Sequence, residues 1–309
     1  MPFCVTLRQN PTYNVLSITL NTIGGQTMAI FTNQAVLSYR NGSVSSNVVT
    51  GELVQVLSAT KNALLDNYVA GDVVTYVVTL FNAGTAPLNN VTVTDDLGAY
   101  PFGTGEVTPL TYVTGSVAYY LDGVLQPQPA VSTTPELTFS GITVPAGDNA
   151  LIIYQARVND FAPLGVDGEI TNTATATSGT ENVTASETIT ASLAPMLTIT
   201  KGIEPATVTE NGQLTYTFII QNYGNTAAIA TDDLVITDNF DPILENITAS
   251  YNGVLWSEGT DYTYDQATGL FRTVEGSITV PAATYTQDPV TGEWNVTPGT
   301  AVVTVNGTV

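Results

Sequence analysis

GDVVTYVVTLFNAG at residues 71–84 and NGQLTYTFIIQNYG at residues 211–224 are two versions of one strand. Each opens on a turn residue, alternates apolar with polar positions, carries Thr-Tyr at its centre and closes on Asn-x-Gly. Strict alternation is the period of a β-strand with one face buried. Working outward, VTVTDDL (91–97) matches LVITDNF (234–240), and DGVLQ (122–126) matches NGVLW (252–256). GITVPAG (141–147) matches GSITVPA (276–282), and ALIIYQARV (150–158) matches AVVTVNGTV (301–309) with an offset of about one residue. Self-similarity on this scale means tandem domains. Period-two runs separated by Gly, Asn, Asp and Pro turns predict an all-β fold, with a β-sandwich of about seven strands in each unit.

Composition agrees. Thr, Val, Asn and Gly are abundant and helix formers sparse, as β-structure requires. A formal charge of −21 argues against binding nucleic acid or an anionic membrane. The chain has no histidine, so a Ser-His-Asp or Cys-His nucleophilic site is excluded. No stretch approaches the roughly 20 apolar residues of a membrane-spanning helix, and no basic segment followed by an apolar one reads as a secretory signal. Cys4 is the single cysteine. It is either an unpaired thiol or an intersubunit disulfide partner, since no intrachain bridge is possible.

The head of the chain repeats the tail of the first unit. Residues 31–62 read FTNQAVLSYRNGSVSSNVVTGELVQVLSATKN, and residues 170–202 read ITNTATATSGTENVTASETITASLAPMLTITKG. Both run from Thr-Asn-x-Ala through two alternating segments to Thr-Lys. The second copy closes unit 1 and leads into unit 2, whereas the first has no unit before it. Unit 2 reaches Val309 without such a segment. The expected organisation is an arm over 1–57 carrying a donor hairpin (29–57), a sandwich over 58–194, and a second sandwich over 195–309 that lacks its last strands. A sandwich without them exposes a groove and a sheet edge. The head hairpin of another copy fits that gap by strand addition, which predicts an open head-to-tail homopolymer. Asn33 lies 28 positions before Lys61, and Asn172 lies 29 before Lys201. The hairpin therefore belongs immediately in front of unit 1, where only a neighbouring subunit supplies an incomplete sandwich. The alternative is a monomeric module of a surface adhesin, cut at Val309.

Lys61 and Lys201 are the two lysines of the chain and occupy equivalent places. Thr-Asp follows each in a later strand, giving Asp95 and Asp238. The Thr-Asn-x-Ala motif supplies Asn172 to unit 1 and, from a neighbour, Asn33 to unit 2. Lysine, asparagine and an acid on adjacent strands are the ingredients of a self-formed isopeptide bond. The amine must be neutral, which burial favours, and a protonated acid must polarise the amide before ammonia leaves. The expected sets are Lys61, Asp95 and Asn172 within unit 1, and Lys201, Asp238 and Asn33 between subunits. The bland alternative is two solvated lysines paired with nearby aspartates.

Asp95-Asp96, Asp232-Asp233 and Asp238-Asn239-Asp241 carry oxygen ligands suited to calcium. None sits in a 12-residue calcium loop, so no metal or cofactor is expected. Tyr76, Tyr112, Tyr119, Tyr216 and Trp256 read as core and rim residues. No spacing singles out a pair of carboxylates for glycoside hydrolysis, and an enzyme is not expected.

The opening LTITKGIEPATVTENGQLTYTFIIQNYGN, the strand LVITDNF, the segment ITVPAG and the closing ITNTATAT together resemble the prokaryotic conserved-repeat family known as domain of unknown function eleven. The resemblance covers about residues 55–309 in two copies. It implies immunoglobulin-like sandwiches in a bacterial or archaeal surface protein. With the missing last strands, it points to a subunit of an extracellular filament on a cell or spore surface. A spore fibre made inside a mother cell needs no secretion signal.

Overall fold

A computed structural model of the chain describes residues 19–23 and 26–309. Cys4 lies outside the described residues. The arm contains β1 (Thr19–Ile23), β2 (Gln26–Asn33), β3 (Val36–Tyr39), β4 (Gly42–Ser45) and β5 (Val49–Val54). Unit 1 opens with β6 (Leu57–Ala63), β7 (Asn67–Tyr68), β8 (Val73–Asn82) and β9 (Leu88–Asp95). Short strands follow: β10 (Tyr100–Phe102), β11 (Gly105–Val107), β12 (Leu110–Tyr112), β13 (Ala118–Leu121), β14 (Val124–Gln126) and β15 (Ala130–Ser132). It closes with β16 (Leu137–Val144), β17 (Asn149–Val158), β18 (Glu169–Ser178) and β19 (Glu181–Ala191). Unit 2 holds β20 (Leu197–Glu204), β21 (Gln213–Asn222), β22 (Thr237–Asn239), β23 (Glu245–Tyr251) and β24 (Val254–Leu255). Its remaining strands are β25 (Tyr262–Asp265), β26 (Leu270–Thr273), β27 (Thr284–Gln287), β28 (Trp294–Thr297) and β29 (Gly299–Thr308).

Unit 1 is a sandwich of two six-stranded sheets. One runs β14-β13-β17-β8-β6, with β12 added beside β17, and the other runs β15-β16-β9-β18-β19-β7. The count exceeds the expected seven because short strands between Tyr100 and Ser132 extend the framework. The alternation of the opening stretch has its cause here. Val74, Tyr76, Val78 and Leu80 of β8 turn inward and are buried, and Ala150, Ile152, Tyr154 and Ala156 of β17 do the same. Unit 2 repeats the first sheet as β20-β21-β29-β23-β24, but its second is reduced to β22-β26-β25. Each unit has its own apolar core.

The Asn-x-Gly endings are also explained. Asn82 is wholly buried; its side-chain oxygen accepts from the Gly84 amide at 2.9 Å, and its Nδ2 donates to the Ala86 and Val144 carbonyls. Asn222 repeats this with Gly224, Thr226 and Pro281. An interior amide needs such partners, because an unpaired one costs about 1–3 kcal/mol. The DGVLQ and NGVLW motifs form matching hairpins, β13–β14 and β23–β24. Asp122-Gly123 and Asn252-Gly253 have positive φ (46°, 71°, 48° and 81°), which the primed two-residue turn requires.

The units meet through a joint. The β27–β28 hairpin of unit 2 reaches unit 1, where the Trp294 amide donates to the Asp160 carbonyl at 2.8 Å. Trp294 Nε1 and Gln287 Nε2 both donate to the Tyr100 hydroxyl. Asn225 Nδ2 donates to the Leu164 carbonyl at 3.0 Å. At Gly224 a Cβ would stand 2.1 Å from the Ala194 carbonyl oxygen, so only glycine fits.

Candidate functional site

Unit 1 gathers its three candidate residues into the core. β6 places Lys61 inward, where it is 4% exposed, and β9 ends on Asp95 at 1%. β18 pairs with β9, with Ala174 opposite Asp95. Asn172 lies two residues earlier on the same inward face and is wholly buried. Lys61 Nζ contacts Asp95 Oδ2 at 2.7 Å. The same carboxylate oxygen accepts from the Tyr154 hydroxyl at 2.6 Å, and Asn172 Nδ2 donates to that hydroxyl at 3.1 Å. Among the described residues, the buried Asn172 carbonyl oxygen has no hydrogen-bond partner.

The surroundings favour neutral forms. Burial holds the Lys61 ammonium below its ordinary range, and the Asp95 charge only partly opposes this. Its Nζ lies 5.0 Å from the Tyr76 ring centroid and 5.9 Å from that of Tyr154. The two rings stack at 5.6 Å, so the amine is walled by aromatic faces. Burial also pushes the Tyr76 and Tyr154 phenols well above the usual range. The Tyr76 hydroxyl stands beside Asn172 without a well-formed hydrogen bond.

Unit 2 presents the same parts without their cover. Lys201 makes an ion pair with Asp238, yet their side chains are 39% and 19% exposed. The Lys201 amine lies 4.2 Å from the Tyr216 ring centroid and within 6 Å of Phe218 and Phe240. All eight residues of β20 are exposed, whereas β6 alternates. Ile199 is 55% exposed where its counterpart Ala59 is partly buried. In unit 1 the β18–β19 hairpin supplies the cover, since β18 pairs with β9 and β19 packs over β6. Among the described residues, β22 pairs only with β26, leaving open the edge that β18 occupies in unit 1.

The arm carries a hairpin of the same kind. β2 pairs with β5, and β3 pairs with β4 around the turn at Arg40 and Asn41. Asn33 precedes Tyr39, the last paired residue of its limb, by six positions, as Asn172 precedes Ser178. Side chains from Ala35 to Thr50 are exposed, and so is Asn33. Asn33 is not brought to Lys201 within one chain in the way that Asn172 is brought to Lys61.

Sequence reasoning missed Tyr154. In the run ALIIYQARV it reads as one more inward aromatic, and nothing local reveals that its hydroxyl reaches a carboxylate across the core. Of the acidic groups considered for calcium, Asp96 accepts from the Gly98 and Thr173 amides, and Asp232 accepts from the Ile229 amide. Among the described residues no cluster of three or more metal-ligating side chains exists. Tyr76, Tyr112, Tyr119 and Tyr216 are buried, and Trp256 stacks on Tyr251.

No protein-family model matches the chain. No curated protein matches it either. Among solved structures, it is similar to the collagen-binding domain from a Staphylococcus aureus adhesin (12% identity, 43% of this chain and 96% of that one, TM-score 0.29). It is also similar to two structures of the RrgB pilus protein from Streptococcus pneumoniae. The pilus backbone structure shows 16% identity over 78% of this chain and 55% of that one, at a TM-score of 0.32. The full-length structure shows 14% identity over 92% and 48%, at 0.34. The chain thus spans about half the length of the pilus structures. All three TM-scores lie below 0.5, and the functional reading rests on the chain's own geometry. No helix among the described residues is long and apolar enough to cross a membrane.

Proposed function

We propose that the chain is a structural subunit of a filament on the outside of a bacterial cell or spore, assembled head to tail by strand complementation. The observation that carries this is the contrast between β6 and β20. Equivalent strands with equivalent lysines are covered in one unit and exposed in the other, and a hairpin of the covering kind stands exposed on the arm. An open sheet edge beside exposed Leu197, Ile199 and Ile203 favours pairing with another strand. The occupant is the arm hairpin of a second copy, which would bring Asn33 to Lys201 as Asn172 stands in unit 1. The joint so formed is heterologous and non-closing, so the product is an open fibre.

The same reading gives the buried cluster its chemistry. Proton transfer across the Lys61–Asp95 contact yields a neutral amine and a neutral acid. The amine attacks the Asn172 side-chain carbonyl carbon, the acid donates to the orphan carbonyl oxygen, and ammonia leaves as the isopeptide bond forms. Unit 1 is thereby clamped between its sheets. Lys201, Asp238 and a neighbour's Asn33 are the matching set at the joint between subunits.

The test is assembly of the purified chain, viewed by negative-stain microscopy and on boiled denaturing gels. The expected result is filaments, with covalent ladders, that disappear when residues 1–57 are deleted. A monodisperse monomer whose state is indifferent to that deletion would overturn the proposal and leave a stand-alone surface module.

A further inference from the structure

We propose that Tyr154 relays the proton that releases ammonia from Asn172. The proposal rests on the reading that the Lys61–Asn172 bond forms. That reaction must move one proton from Lys61 Nζ to Asn172 Nδ2, because the amine becomes an amide N–H and the amide nitrogen departs as ammonia. Asp95 can take the proton directly, since Nζ lies 2.7 Å from its Oδ2. From that oxygen the contacts lead onward to Nδ2 through one group. The Tyr154 hydroxyl stands 2.6 Å from that same oxygen and 3.1 Å from Nδ2, the atom that leaves.

A hydroxyl both accepts and donates, and its hydrogen rotates between partners. In the resting arrangement Nδ2–H donates to the hydroxyl and the hydroxyl donates to Asp95. Asp95 passes its first proton to the adduct oxygen as Nζ attacks, and once it has taken the second Nζ proton on Oδ2, the sense reverses. Asp95 donates to Tyr154, and the hydroxyl donates to the nitrogen lone pair freed in the tetrahedral adduct. The Nζ–Cγ bond forms and the Cγ–Nδ2 bond breaks, the adduct oxygen returns the first proton to Asp95 as the carbonyl re-forms, Tyr154 ends as it began, and ammonia leaves with the second proton that Lys61 gave up. No outside acid takes part, as a wholly buried cluster requires. Tyr76, whose hydroxyl has no well-formed hydrogen bond among the described residues, does not close such a chain.

Unit 2 marks the residue as an addition to the minimal set. In the strand registers Tyr154 lies opposite Tyr76, and the residue opposite the equivalent Tyr216 is Val305. Lysine, acid and aromatic wall recur there, but the hydroxyl does not.

The test follows the mass of freshly synthesised full chain against time, reading the loss of about 17 Da that ammonia release produces. Tyr154→Phe is expected to fold and to form the bond at least tenfold more slowly, since general-acid groups contribute about 10²–10⁴ in rate. A rate within twofold of the unsubstituted chain overturns the relay. Replacement of the tyrosines by 3-fluorotyrosine keeps the contacts while acidifying the phenol. A several-fold change in rate is expected, and an unchanged rate overturns the relay even if Tyr154→Phe fails to fold. If the unsubstituted chain loses no mass, the bond-forming reading falls, and the relay with it.

Discussion

Lys61 and Asp95 meet at 2.7 Å with both side chains wholly buried. Burying two charges costs several kcal/mol apiece, which their attraction repays only with good geometry and further hydrogen bonds. Here Asp95 also accepts from the Leu97 amide on Oδ1 and from the Tyr154 hydroxyl on Oδ2, and the neighbour of Tyr154 is an asparagine whose carbonyl oxygen is unsatisfied among the described residues. The arrangement is costly as a static ion pair. It is well suited to a reaction that consumes the charges.

The intact mass of the chain is therefore expected to fall short of the sequence mass by about 17 Da for the unit 1 bond. Lys61→Arg and Asp95→Asn should each restore the full mass, the first by removing the nucleophile and the second by removing the acid. Mass spectrometry of the three proteins checks this.

The bond joins positions 61 and 172, closing a loop on the order of 100 residues. Loop-closure arithmetic for a cross-link of that span gives about 4–5 kcal/mol. Asn172→Ala should lose stability of that order, plus the loss of a buried amide contact. Chemical denaturation of unit 1 reads the difference.

Ile199 lies in the groove proposed to receive a neighbour's hairpin and is 55% exposed in the single chain. Ile199→Asp should leave folding within about 0.5 kcal/mol of the parent, as exposed substitutions do. It should abolish assembly, because docking would bury an unpaired charge. Thermal melts and negative-stain images of one preparation separate the two effects.

Val305 stands where unit 1 has Tyr154. With the relay proposed above, Val305→Tyr should speed covalent linking between assembled subunits, seen as faster growth of the boiled-gel ladder.

Burial raises the Tyr68, Tyr76 and Tyr154 phenols above the ordinary value near 10. A group whose folded pKa is raised contributes stability that is fully present below its unfolded pKa. The unit 1 melting temperature should therefore not fall on account of these groups up to about pH 10. Above that it should drop as the unfolded chain releases protons the folded one retains. A series of melts from pH 7 to 12, with Tyr68→Phe as the comparison, checks the sign.

The sequence by itself determined the strands and the tandem repeat, and set Lys61, Asp95 and Asn172 on strands of one unit. Side chains alternate strictly along a strand, but which phase of these polar residues faces the core was decided by the fold. The likeness of the head segment to the β18–β19 segment was legible in their shared Thr-Asn-x-Ala and Thr-Lys motifs. Only the tertiary structure decided what those inward groups touch. Tyr154 and Asp95 lie on opposite sheets and 59 positions apart, and their contact depends on how two twisted sheets face each other across a core. The joint was hidden likewise. The β27–β28 hairpin that grips Tyr100 is an insertion that unit 1 lacks, so the internal repeat held no template for it. The difference in cover over Lys61 and Lys201 is likewise a tertiary fact. One lysine is buried and the other exposed because a hairpin lies over the first and not the second.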